Sequence, residues 1–484
     1  MATAQPAHST LAGPNRLDEI RHKTGVPLAA ILATAIWFMP TPAGLSAQGQ
    51  RALALFAAIF VLYLTEAMPL AISSLLVVPA AVFMKVANVR DALSGFSSPS
   101  TYLILGAFVL ATGMVRTKLA ERITYVILSR TGCSATRITL GVMLANMVLA
   151  FLVPSTTART AILLPMCVSI IGLFGSEGRS KFATSLLLIL AFTNSTISAG
   201  ILTATVPNPV TIEFLAKSGR IITYFDWLLY GFPPAVIMTF FTWWFVTRVY
   251  KPEGEAKPGA VERVVQERLA AMGKMTSAEW RALSIFLSIT FLWATQNLTG
   301  LDTTVVCLLG DCLLFLPKFG VIDWKDANQG VSWQVVLIAG GGISLGEILM
   351  KTGAAKWLAV SIFKLLGLQG ASTLVILIVV MLIVQYMHLM FSTTVAMATA
   401  LMPIVLALAD TAHINPLVLA LPVGMLIGGY PLLMFYNTLP NIVVYGTGKL
   451  RVEDFPRVGV VLCTVACILY TLCAATYWRW LKLL

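Results

Sequence analysis

Ser155-Thr156-Thr157-Ala158-Arg159-Thr160-Ala161-Ile162-Leu163-Leu164-Pro165 reappears about 240 residues later as Thr393-Thr394-Val395-Ala396-Met397-Ala398-Thr399-Ala400-Leu401-Met402-Pro403. Each copy opens on hydroxyls, closes on a proline and lies in otherwise apolar sequence. About 40 residues further on, each is followed by a Gly-rich stretch ending in Pro-Asn, at Pro207-Asn208 and Pro440-Asn441. Polar, Gly/Pro-broken segments at matching places in two halves of an apolar chain point to the binding site of a transporter. A second pair, Leu105 to Ala120 and Ile338 to Ala355, precedes the hydroxyl motif of its own half, so the repeat covers several elements.

The chain has 484 residues, of which 58% are hydrophobic and 11% charged, with a mean hydropathy of +0.86. So few charges cannot clothe a soluble domain, and the fold class is an all-α polytopic membrane protein with about a dozen membrane-embedded elements. The polar residues ahead of the first span, with no cleavage site after it, argue against a cleaved signal peptide. The net charge of +12 is spread over short loops, which excludes a nucleic-acid face. Arg16, Arg21, Lys23, Arg116, Lys118, Arg122 and Arg130 instead follow the positive-inside pattern and place the N-terminus in the cytoplasm. The seven cysteines form no CxxC pair, and the four histidines have no metal-ligand spacing. They read as packing residues, so no cofactor or metal site is expected.

Residues 1–25 read as a cytoplasmic tail, 26–250 as the first membrane half, 251–281 as a cytoplasmic linker with an amphipathic stretch at Val261 to Leu269, and 282–484 as the second half. Each hydroxyl motif sits mid-way in an apolar stretch too long for one span, near 138–173 and 372–408. Backbone broken by hydroxyls and Pro154 would be unpaired in lipid unless the chain turned there inside protein. Each stretch therefore reads as a re-entrant helical hairpin with the motif at its tip. The Pro-Asn stretches near 193–208 and 428–441 read as unwound helices. Halves with odd numbers of crossings make the two repeats inverted. Four helix breaks meeting near the midplane would turn positive dipole ends and free N–H groups toward an anion.

Thr65-Glu66-Ala67-Met68-Pro69-Leu70, Pro154-Ser155-Thr156-Thr157-Ala158-Arg159, the Gly340-Gly341-Gly342-Ile343-Ser344-Leu345-Gly346 run and both Pro-Asn stretches come in an order and spacing that resembles the divalent anion/sodium symporter family, over nearly the whole chain. That family moves dicarboxylates, tricarboxylates or sulfate. The resemblance implies a homodimer whose protomers each carry scaffold and transport domains working as an elevator. In the family, Ser-Asn-Thr at both tips holds the substrate's carboxylates. Here the first tip keeps the two outer hydroxyls, with Thr156 for Asn. Matching the closing prolines puts Thr393-Thr394-Val395 on the second tip, and Ser392-Thr393-Thr394 is the alternative register. Unequal tips imply a substrate with unequal ends.

Pro-Ser-Thr-Thr-Ala-Arg resembles the branch containing 2-oxoglutarate/malate translocators and bacterial dicarboxylate exchangers, where a fixed cation replaces a coupling sodium ion. A guanidinium near the midplane costs about 2.5 to 3.5 kcal/mol unless paired, and it cannot leave with the substrate. Arg159 therefore favours anion-for-anion exchange of small organic dianions, C4 or C5 dicarboxylates foremost. The counterpart of Arg159 is Met397, which leaves room for sodium as a coupling ion and for sodium symport as the alternative. His388 reads either as a proton-sensitive charge or as a hydrogen-bonded helix residue. The expected substrate-binding residues are Ser155, Thr156, Thr157, Arg159, Thr393, Thr394, Val395, Asn208 and Asn441. The expected partners are small organic anions and membrane lipids, and the expected location is a bacterial inner membrane. An anion channel is the distant alternative, and an enzyme using Ser155 would lack a nearby base in the first half.

Overall fold

The computed structural model describes residues 16–132, 134–175, 178–253 and 259–481, and all the regular structure in them is helical. The first half comprises α1 (Arg16–Phe38), α2 (Ala47–Thr65), α3 (Leu70–Leu75), α4 (Val77–Phe83), α5 (Val89–Ala92), α6 (Pro99–Arg116), α7 (Leu119–Thr131), α8 (Ala135–Leu152), α9 (Thr156–Leu173), α10 (Lys181–Ser198), α11 (Pro207–Lys217) and α12 (Tyr224–Val249). The second comprises α13 (Ala260–Met272), α14 (Ser277–Ala294), α15 (Gln296–Thr299), α16 (Thr303–Leu314), α17 (Trp324–Gly330), α18 (Trp333–Lys351), α19 (Ala354–Leu365), α20 (Thr373–Met387), α21 (Thr394–Thr411), α22 (Pro416–Gly429), α23 (Leu439–Tyr445) and α24 (Asp454–Leu472). Among the described residues, eight helices are long and apolar enough to cross a membrane, and four shorter apolar helices join them. The protein is a multi-pass membrane protein; α1, α10 and α14 stand outside those twelve helices.

The run α6 to α12 is matched in order by α18 to α24. Both α9 and α21 have 18 residues, and both start immediately after a hydroxyl N-cap. Ser155 Oγ accepts from Ala158 N at 3.2 Å and Thr393 Oγ1 from Val395 N at 3.4 Å, each using a side-chain oxygen to satisfy an orphan donor. Ser155 and Thr393 thus hold the same place, the register given by the closing prolines. In both halves a second helix is interrupted: α10 stops at Ser198 and α11 starts at Pro207, and α22 stops at Gly429 with α23 starting at Leu439. Proline lies in the first turn of both resuming helices, where its missing N–H costs no helical bond.

The interrupted helices form the centre. From Phe182 to Ser198 every residue of α10 is buried, and so is every residue of α22 from Leu419 to Gly429. The two breaks touch: a Cβ on Gly428 would lie 2.7 Å from Asn208 Oδ1, closer than any side chain allows. Around this core, α18 packs on α21 and α3, and α6 packs on α16. The α18–α21 contact needs Gly342, where a Cβ would meet Thr399 Oγ1 at 2.4 Å.

One feature differs from the sequence reading. The first helix begins at Arg16, so the polar stretch before Val26 continues as helix; residues 1–15 lie outside the described residues. The linker carries α13, which Arg122 of α7 ties down. Its Nη1 donates to Gly273 O at 2.8 Å, its Nη2 to Met272 O at 3.1 Å, and its Nε to Glu279 Oε1 at 2.5 Å. Those carbonyls end α13, where a cation completes the unfilled acceptors.

Candidate functional site

Pro154, Ser155, Thr156 and Thr157 of one tip and Ser392, Thr393, Thr394 and Val395 of the other line a single cavity of about 260 Å³. Thr205 and Val206, just before α11, and Thr438 to Pro440, at the start of α23, complete its wall. The four breaks therefore do converge, and the N-termini of α9, α21 and α11 open on the cavity, each bringing a positive dipole end. No lysine or arginine lines it, and Glu66 is its one carboxylate. Glu66 ends α2 in the left-handed conformation at φ 49°. It pairs with Arg21 across 3.4 Å, so it acts as a helix end held by a counter-charge.

The hydroxyls divide by task. Ser155 and Thr393 cap helices by accepting, which leaves each O–H able to donate into the cavity. Thr157 and Thr394 make no side-chain hydrogen bond to a described residue, and Thr438 Oγ1 is buried without a partner. Such orphaned hydroxyls on a cavity wall are what a polar solute satisfies. Val395 faces the same cavity with only methyl groups, so the second tip carries its three hydroxyls, on Ser392, Thr393 and Thr394, one position earlier than the first.

Three expected binding residues are placed differently. Arg159 is fully buried and does not line the cavity. One turn inside α9, it points behind the tip, where Nη2 donates to Ser198 Oγ at 2.6 Å and to Ala204 O at 3.0 Å, and Nε reaches Ser155 O at 3.5 Å. Its Nη1 has no partner, and among the described residues no carboxylate forms an ion pair with it. The cation thus sits against the first unwound segment, one residue shell from the tip. Met397, its counterpart, is equally buried.

Asn208 and Asn441 also stay off the cavity, and they do the same thing in each half. Asn208 Nδ2 donates to Ser198 O at 2.8 Å and Ile201 O at 2.9 Å, and Asn441 Nδ2 donates to Pro431 O at 2.9 Å and Met434 O at 3.0 Å. Each amide bridges its break by reaching the carbonyls ten and seven residues back, and so ties the resuming helix to the unwound backbone before it. In both, Oδ1 is buried and unpartnered. His388 is a packing residue: it is buried, with Nδ1 2.9 Å from Gln385 O and Nε2 3.3 Å from Ile427 O. Its carbonyl accepts from Asn437 Nδ2 at 2.6 Å.

Sequence reasoning missed Thr205 and Thr438. The signal was present, since each stands three residues before the Asn repeated in its half, in Thr205-Val206-Pro207-Asn208 and Thr438-Leu439-Pro440-Asn441. Ser332 and Gln334, also on the wall, carry no such mark.

Residues 22–484 match the family model described as the sodium:sulfate symporter transmembrane region. The chain is 32% identical to a protein of Cupriavidus necator named only as a membrane protein, over 94% of this chain and 91% of that one. It is 28% identical to the sodium-dependent dicarboxylate transporter SdcS of Staphylococcus saprophyticus, over 92% and 89% of the two chains. To the chloroplastic dicarboxylate transporter 1 of Spinacia oleracea it is also 28% identical, over 94% and 81%. Among solved structures, the YdaH transporter of Alcanivorax borkumensis aligns with a TM-score of 0.51 at 12% identity, covering 95% of this chain and 97% of that one. MtrF of Neisseria gonorrhoeae aligns at 0.54 and 11% identity, covering 96% and 95%. These two show a shared fold alone.

Proposed function

Because the chain belongs to the sodium:sulfate symporter transmembrane family, we propose that it is a secondary transporter of small organic dianions, C4 or C5 dicarboxylates, that exchanges one anion for another. The observation that carries this reading is a fixed guanidinium, Arg159, buried behind a hydroxyl-lined cavity and ion-paired to no carboxylate among the described residues. The cavity of about 260 Å³ falls below the roughly 300 to 1,000 Å³ of sites for drug-sized ligands, which suits a short dicarboxylate. Carboxylates at either end would accept from the hydroxyls of Ser155, Thr157, Thr393, Thr394, Thr205 and Thr438, and Val395 would face the less polar part. Arg159 acts on the anion at one remove, through Ser155 and the α9 terminus.

In this reading the two halves are inverted repeats. The hairpins α8–α9 and α20–α21, with the broken helices and α12 and α24, form a transport body that slides as an elevator against a scaffold including α6, α16 and α18. The resemblance carries a homodimer with it. A bound dianion neutralises the buried cation during the slide, and an empty cavity does not. Liposomes loaded with unlabelled succinate should take up labelled succinate without sodium, and empty liposomes should not. Uptake into empty liposomes driven by a sodium gradient would overturn exchange.

That outcome belongs to a second reading, sodium-coupled symport. It is favoured by the buried, unpartnered Oδ1 atoms of Asn208 and Asn441, hard oxygen donors of the kind an alkali cation takes, and by Met397 standing where a second fixed cation would be. Under it sodium is a co-substrate, bound and released with the anion.

A further inference from the structure

The binding cavity does not end at the tips. It shares Phe108, Ser155, Thr157, Ser332, Val335 and Leu439 with a second cavity of about 380 Å³ between α6, α9 and α17. The second shares Val115, Ala158 and Ala161 with a third of about 450 Å³, bounded by α7, α9 and α13. The three lie in series along the face of α9, from the hydroxyl tips to the linker helix. Ala158 and Ala161 are the small residues on the α9 side.

The middle cavity has two charged groups on its wall, Arg116 and Asp326. They form an ion pair, with the Arg116 side chain 55% exposed and that of Asp326 13% exposed. Arg116 ends α6, and Asp326 closes the first turn of α17, where the Asp323 side chain accepts from its N–H at 2.7 Å. The other charges facing these cavities are Glu66 with Arg21 at the binding cavity, and Glu121 and Arg268 at the linker end. At the far ends of α11 and α18 lies a separate cavity of about 430 Å³, lined by Asp91, Glu347 and Lys351, which shares no lining residue with the binding cavity. There Lys217 of α11 pairs with Glu347 of α18, and Lys351 bridges Glu347 at 2.8 Å and Asp91 at 2.9 Å.

We propose that this series of cavities is the route by which anions enter and leave on the linker side, and that Arg116 draws them in while Asp326 sets how much of its charge they feel. The proposal rests on the transport reading above and deepens it. A dianion moving between the linker end and the tips passes Arg116 on the wall of the middle cavity. A focused positive site in a low-dielectric channel raises local anion concentration and entry rate, and a carboxylate paired to it subtracts from that field.

The test uses full-length protein in right-side-out and inside-out membrane vesicles, with labelled succinate at low ionic strength. Arg116→Gln should raise the half-saturating concentration roughly 3- to 10-fold on the linker side alone, with the maximal rate unchanged. Asp326→Asn keeps an oxygen on α17 and should lower it by a similar factor. Arg116→Lys should restore near wild-type behaviour, and high salt should erase the differences, which a packing defect would not do. An unchanged half-saturation in both variants, or an equal change on both faces, overturns the proposal. Wild-type vesicles that exchange no succinate from either face would instead overturn the transport reading.

Discussion

Replacing Arg159 by Met, the residue its counterpart position carries at Met397, should convert an exchanger into a carrier that returns empty. The guanidinium is fully buried, its partners are two carbonyls and a hydroxyl, and Nη1 is idle. An uncompensated arginine at that depth costs about 2.5 to 3.5 kcal/mol. If a dianion in the adjacent cavity relieves that cost, the empty carrier must bear it alone while it reorients. At about 1.4 kcal/mol per decade, empty return should be roughly 10²-fold slower than loaded return in the wild type. By linkage, the same energy strengthens anion binding, so Arg159→Met should also weaken succinate binding by up to about 10²-fold. The variant leaves Ala204 O without its donor, a loss of about 1 to 3 kcal/mol, offset in part because a buried cation has gone. It should therefore fold. The assay compares labelled succinate uptake into liposomes with and without internal succinate, at concentrations scaled to each protein's affinity. Wild type should show a ratio near two orders of magnitude, and the variant a ratio of a few. A variant that still demands internal anion as strictly as wild type would refute the charge argument.

Three further outcomes follow from the same geometry. Thr157→Val and Thr394→Val each remove a cavity-wall hydroxyl that caps nothing, so each should weaken succinate binding by roughly 5- to 30-fold, about 1 to 2 kcal/mol, with an unchanged melting temperature in the absence of substrate. Asn208→Ala and Asn441→Ala each strip donors from two buried carbonyls; both should cost about 2 to 4 kcal/mol, seen as lowered melting of the detergent-solubilised protein, and Asn→Asp, with no amide to donate, should not rescue either. Gly342→Val would drive a side chain into Thr399, where even a Cβ comes within 2.4 Å; if α18 belongs to the proposed scaffold and α21 to the proposed moving body, succinate should still bind by calorimetry, but exchange should fall at least 10-fold from overpacking of about 1 to 3 kcal/mol. Loss of binding together with exchange would place the Gly342 contact inside one rigid body.

The helix breaks at the two hydroxyl motifs were legible because lipid makes an unpaired backbone expensive: hydroxyls and a proline in the middle of an apolar stretch interrupt a span, and two copies do so in register. The caps follow from the same logic, since Ser155 and Thr393 each spend an oxygen on the first turn they begin. What the sequence could not tell was the direction in which a side chain one turn further on would point. Arg159 turned away from the cavity because α10 and its break lie behind the tip and offer Ser198 and Ala204 as acceptors, groups distant in sequence. Asn208 and Asn441 turned away for a local reason, that each closes its own broken helix. That contrast gives a rule for reading such repeats. Where the two copies agree in residue and in bonding, as at these asparagines, the residue maintains architecture that both halves need. Where they disagree, as at Arg159 against Met397 and Thr157 against Val395, the fold tolerates either choice, so stability does not dictate it. A difference that architecture leaves free is available to shape the two tips unequally and to fix a charge on one side only, and a charge fixed in that way is what the proposed exchange of dianions would use.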